Sequence, residues 1–218
     1  MADGSLSPLI ATGVALGWSV AWPPGPINAE ITRRGLQRGF VPAMAVGAGA
    51  MIGDAAWALA VALGAGALAA SPTARDALAA ASVVLLIVLA LVFLRGAWRT
   101  WRAHRADAPP APPAPRFDST RGGALFGLTL ALTSPWNLAF WLGAIGRGAT
   151  TEAGIVPALA IAVGVLGGTL AWITVLSSLT ALAGLRASGP IWDVLTRALT
   201  GLLLLWFAFT TARALLAP

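Results

Sequence analysis

Val41-Pro42-Ala43-x-Ala45…Gly49…Gly53…Ala56-Trp57 returns without gaps as Val156-Pro157-Ala158-x-Ala160…Gly164…Gly168…Ala171-Trp172. The paired Pro and Trp carry most of the weight of this match, because a chain rich in Ala and Gly supplies other identities by chance. Both copies lie in long apolar stretches, and three apolar spans separate one copy from the next. An odd number of crossings turns the second copy upside down relative to the first. Inverted repeats about a pseudo-two-fold axis in the membrane plane recur in secondary transporters. The repeat therefore points to an all-α integral membrane protein built from two inverted halves, and to transport.

Composition agrees with a chain that lives in lipid. It has 218 residues, 58% hydrophobic and 10% charged, with mean hydropathy +0.82. Soluble domains carry about 25% charged residues, and a spanning helix needs roughly 20 apolar ones. The length suits about six spans with short loops, which we place near 6–31, 40–68, 78–101, 122–147, 154–183 and 190–215. Three helices form each half, residues 1–101 and 122–218. The stretch 102–121, with its five prolines between alanines, is an extended cytoplasmic linker. There is no cysteine, so disulfides and thiolate chemistry are excluded. The N-terminus lacks a basic leader pattern, and the first apolar run reads as a retained span. His104, the single histidine, falls in the linker and has no second imidazole with which to hold a metal.

The arginines set the orientation. Arg33, Arg34, Arg38, Arg95, Arg99, Arg102, Arg105, Arg116, Arg121, Arg186 and Arg197 fall on or beside the face that carries the linker. Arg75, Arg147 and Arg213 fall on the other face. Cytoplasmic loops are enriched in Arg and Lys, so both termini are expected outside. The same bias explains a pI of about 11.7 without nucleic acid as a partner.

Two interruptions carry the candidate chemistry. The first span runs into Trp22-Pro23-Pro24-Gly25-Pro26-Ile27-Asn28, which cannot continue a helix because each proline removes a donor and clashes with the preceding turn. The first span of the second half breaks at Ser134-Pro135-Trp136-Asn137. Non-helical backbone at membrane depth is tolerated where it is buried in protein or lines a cavity, and paired Pro/Gly interruptions point to a transporter's binding site. Pro24, Gly25, Pro26, Ser134 and Pro135 thus frame a candidate cavity, with Asn28 and Asn137 offering amides to a polar solute. Asp54 sits mid-span in Gly53-Asp54-Ala-Ala-Trp57. An acid at that depth costs about 2.5–3.5 kcal/mol to insert and faces a cavity or bundle interior. It is a candidate for proton coupling or for a substrate ammonium. Thr169 occupies the matching position of the second copy, so such a role is asymmetric. Glu30, close to Arg33 and Arg34, reads equally as a surface ion pair or as a gate. Trp57 and Trp172 line a pathway or fill the core. The glycines of spans 2 and 5 are expected to let helices pack closely.

These motifs resemble the LysE/RhtB amino-acid exporters. The resemblance rests on Pro24-Gly25-Pro26, Arg34-Gly35-Leu-Gln-Arg38-Gly39, Gly49…Gly53-Asp54, Leu94-Arg95-Gly96 and Ser134-Pro135-Trp136-Asn137, and covers most of the chain. It implies a small exporter in the inner (plasma) membrane, with six helices in two inverted halves, driven by proton or ion gradients. The second break departs from the family's Asn-Pro-Lys: Ser134 stands for the Asn and Trp136 for the Lys, so no basic residue is present there.

The expected function is secondary active export of a small amino acid or similar metabolite. The alternative is export of a divalent or heavy-metal cation. It is weakened because Asp54 is the one deep carboxylate and a metal cavity assembles several ligands. No nucleophile–base pair, paired acids or cofactor motif is present, so neither an enzyme nor a cofactor is expected. The implied partners are a small-molecule substrate and the bilayer; a homo-oligomer is compatible with the pattern but not set by it.

Overall fold

The computed structural model describes residues 6–63, 72–106, 119–146, 155–185 and 190–216. Every regular element among them is helical: α1 (Ser7–Ala21), α2 (Pro26–Arg38), α3 (Phe40–Ala62), α4 (Pro72–Arg105), α5 (Thr120–Thr133), α6 (Pro135–Trp141), a π-helical turn (Leu142–Gly146), α7 (Ile155–Gly184) and α8 (Pro190–Leu216). Of these, α3, α4, α7 and α8 are each long and apolar enough to cross a bilayer. The pair formed by α5 and α6, bent by 64° at its break, makes a fifth candidate span. With 15 residues, α1 reaches only about 22 Å, short of the ~30 Å hydrocarbon core.

Helix ends follow local chemistry. Pro26 opens α2 behind an extended Gly25, the position at which a missing N–H costs nothing. Gly39, at φ 86°, is the single residue between α2 and α3; a positive φ suits glycine, which has no Cβ to clash. Residues 32–38, read from the sequence as loop, therefore continue a helix. Ser119 caps α5 by accepting from the Gly122 N–H at 2.9 Å, and Ser134 caps α6 by accepting from the Asn137 N–H at 3.4 Å. The helical run of α4 extends to Arg105, so His104 sits exposed on its last turn. Most of the proline-rich stretch, residues 107–118, lies outside the described residues, as do Arg116, Arg147 and Arg186.

The helices pack in three long pairs: α1 along α7, α3 along α5, and α4 along α8. Glycine makes the first two pairs close. A Cβ on Gly13 would lie 2.9 Å from the Gly164 Cα, and one on Gly168 would lie 2.8 Å from the Trp18 nitrogen. Across the other pair, a Cβ on Gly127 would lie 2.8 Å from the Ala50 nitrogen and one on Gly49 would meet the Ala124 backbone. Between lipid-embedded helices, such backbone approach and its dispersion contacts replace the hydrophobic driving force. One core, with Ile31, Val46, Leu86, Phe93, Phe126 and Leu204, joins α2 to α3, α4, α5 and α8. A second, with Val61, Trp141, Ile145 and Val165, joins α3 to the π-helical turn and α7. The outward faces carry exposed Val84, Leu179 and Leu202, as a lipid-facing surface requires.

Candidate functional site

Each break is spliced by its asparagine. At the end of α1 the Asn28 amide donates to the carbonyls of Ala21 (2.7 Å) and Pro23 (2.8 Å), which the interrupted helix leaves unpaired. Its Oδ1 accepts from the Trp172 indole N–H at 3.4 Å. At the end of α5 the Asn137 amide donates to the Ala131 carbonyl at 3.2 Å and to the Asp54 carboxylate at 2.6 Å. Trp57 donates to the same Ala131 carbonyl at 3.2 Å. The indole of Trp141, itself wholly buried, faces Asp54 without closing a hydrogen bond of ordinary geometry. Thr169, matched to Asp54 in the repeat, donates to the Gly17 carbonyl at 3.4 Å. Both hydrogens of each asparagine amide are thus engaged with protein.

Glu30 is buried, in contrast to the surface pairing considered from the sequence. Its carboxylate accepts from Arg33 through Nε and Nη2, both at 2.8 Å, and from Arg34 Nε at 2.6 Å. Arg33 also donates to Gln37 (2.7 Å), and Gln37 donates to Thr196 on α8 (2.6 Å). Arg34 reaches the Ser119 carbonyl at 2.8 Å. The Arg33 guanidinium lies 4.9 Å from the Phe93 ring centre, a cation–π distance. Two arginines that resemble loop charges in the sequence therefore form part of a buried network tying α2 to α5 and α8.

A cavity of about 420 Å³ lies between the first break, α2, α7 and α8. Pro24, Gly25 and Asn28 form its rim on the side of the break. Its walls are apolar: Trp22, Trp172, Leu176, Leu199 and Leu203. Trp172 meets Trp18 and Trp22 edge to face, at 5.5 and 5.8 Å between ring centres. Its polar end holds Thr32, Arg33, Thr196 and Thr200. The structure brings Asn28 to Trp172 at this cavity, and Asp54 to Asn137 at the other break; Asp54, Asn137 and Ser134 are not among its lining residues. The sequence reasoning missed Thr32, Arg33 and Thr200. A hydroxyl inside the last apolar span was the available signal for Thr200. Among the described residues no group of three His, Cys, Asp or Glu is placed to hold a metal ion.

The chain has relatives among known proteins. A Pseudomonas aeruginosa protein described as chemotactic transduction protein ChpE is 30% identical over 148 residues, which is 68% of this chain. That match spans 66% of the relative, just under two thirds of its length. No solved structure matches the chain. The family described as LysE type translocator matches residues 18–215, from the last turn of α1 to the last turn of α8. The chain belongs to the LysE type translocators, a family of membrane transport proteins.

Proposed function

We propose that the chain is a secondary active exporter of a small amino acid or amino-acid-like metabolite in the inner membrane, and that it works through two inverted three-helix halves. The observation that carries this reading is the paired construction of the breaks. Each interrupted helix is spliced by an asparagine at corresponding positions, and each splice is latched by a side chain from the repeated segment, Trp172 on Asn28 and Asp54 on Asn137. The packing supports the same symmetry. The first helix of either half lies on the second helix of the other, α1 on α7 and α5 on α3, and the third helices pair with each other. Gly13 corresponds in this scheme to Gly127, since a Cβ on the first would meet the backbone of Ile161 and Val165 and one on the second the repeat-matched backbone of Val46 and Ala50.

In this reading the cavity beside the first break receives the cargo, and Asp54 exchanges a proton at the second. The protonation state of Asp54 sets how firmly Asn137 is held, and hence how α6 sits on α5. A proton moving inward releases about 2.3 kcal/mol per 100 mV, enough to drive modest accumulation outside the cell. Uptake of labelled amino acids into inside-out vesicles tests it, wild type beside Asp54→Asn, with and without a pH gradient. Gradient-dependent uptake by wild type alone is expected. Undiminished gradient-driven accumulation by Asp54→Asn would remove Asp54 from the coupling, and absence of any amino-acid uptake would remove the cargo class.

A further inference from the structure

Resting on the exporter reading, we infer that the cavity beside the first break selects a carboxylate with a bulky apolar tail, and that Thr200 and Thr32 are its specificity-determining hydroxyls. Many threonine hydroxyls in these helices are spent on the backbone one turn earlier: those of Thr129, Thr133, Thr174, Thr180 and Thr196 all donate to the carbonyl four residues back. Thr32 and Thr200 do not. They line the cavity, Thr200 is only 3% exposed, and neither has a hydrogen-bond partner among the described residues. Both hydroxyls open onto the cavity, so each is available to donate to a ligand oxygen there.

The charge behind this end is net positive, since one carboxylate, Glu30, is shared by two guanidiniums, Arg33 and Arg34. Among the described lining residues Arg33 is the charged one, and no carboxylate faces the cavity. A ligand cation placed there would lie beside the Arg33 guanidinium, with the Glu30 carboxylate behind it already taken by two arginines, which the low-dielectric surroundings penalise. A carboxylate is favoured by the same guanidinium and by two hydroxyl donors. Away from this end the walls are indole and leucine, Trp22, Trp172, Leu176 and Leu203. They have nothing to offer a hydroxylated or basic side chain and a large contact area to offer an aromatic or branched one. At about 420 Å³ the space falls in the range of sites that enclose small organic ligands.

Counterflow of labelled phenylalanine into liposomes holding the full chain tests the inference, with leucine, 3-phenylpropionate, phenethylamine, threonine and lysine as competitors. Leucine and 3-phenylpropionate are expected to compete. Threonine, lysine and phenethylamine should be at least roughly tenfold weaker, the discrimination an apolar pocket achieves. Thr200→Val keeps the volume and removes the hydroxyl, and is expected to raise the half-saturating phenylalanine concentration about tenfold, with Thr200→Ser restoring it. Should Thr200→Val fail to yield folded protein, Thr32→Val carries the same expectation. Lysine, threonine or phenethylamine competing as well as leucine would overturn the selectivity while leaving amino-acid export standing. So would unchanged affinity in a folded Thr200→Val. Failure of every amino acid to move, labelled lysine and threonine included, would overturn the exporter reading itself.

Discussion

Adjacent glycines in α7 give the sharpest contrast at the scale of single residues. Gly168 faces α1, where a Cβ would lie 2.8 Å from the Trp18 nitrogen, whereas the nearest atom to a Cβ on Gly167 is a Val14 methyl at 3.9 Å. Gly168→Ala must push two backbones apart and is expected to destabilise by about 1–3 kcal/mol. Gly167→Ala should be neutral or stabilising by up to about 1 kcal/mol, from helix propensity. Thermal inactivation in detergent distinguishes them, and equal losses would show that α1 and α7 do not meet through this face. Glu30 is the second test at this scale. Its carboxylate is shared by Arg33 and Arg34 at full burial, so Glu30→Gln should cost about 3–5 kcal/mol and appear as loss of monodisperse protein. A variant as stable as wild type would mean that the two guanidiniums are compensated elsewhere.

At the scale of helices, the breaks behave as joints with defined fastenings. Removing the amide in Asn137→Ala takes its donor from Asp54 and one of two donors from the Ala131 carbonyl, which keeps Trp57, a loss of about 1–3 kcal/mol. Hydrogen exchange should rise through α6 and leave α8 unchanged. A double-mutant cycle between Asp54 and Asn137 should give a coupling of about 0.5–3 kcal/mol, and additive losses would dissolve the latch. The breaks themselves were legible in the sequence, since Pro23, Pro24, Pro26 and Pro135 permit no other local outcome. Their fastenings were not, because which carbonyl Asn28 or Asn137 reaches depends on how sharply the chain turns after it. The interior of α2 was hidden for a related reason. Arg33 and Arg34 have the composition of a solvated loop, and the carboxylate of Glu30 one turn earlier, with Gln37 and the Ser119 carbonyl, lets them be buried. Thr200 was hidden because a threonine in an apolar span ordinarily satisfies itself on its own helix.

For the molecule as a whole, the repeat in the sequence announced which segments correspond, yet it carried no statement of which segments touch. That comes from the crossed pairing, α1 with α7 and α3 with α5. Orientation is testable at this scale because the chain has no native cysteine, so an introduced one is a unique label. Ala106→Cys, after the last turn of α4, is expected to react with an impermeant maleimide in inside-out vesicles and to be protected in intact cells. Leu6→Cys, before α1, should show the reverse. The opposite pattern would invert the proposed topology and place the linker outside.

The crossed pairing also fixes an order of events during synthesis. The glycine face of α1 has no partner until α7 has left the ribosome, more than a hundred residues later. Until then that short helix must wait in the bilayer with its closest contact surface open to lipid or to an insertion chaperone. The first half is in that sense a clasp made before its catch. Severing the chain within 107–118 and producing both pieces together should still yield an assembled protein, whereas the first piece made alone should be degraded.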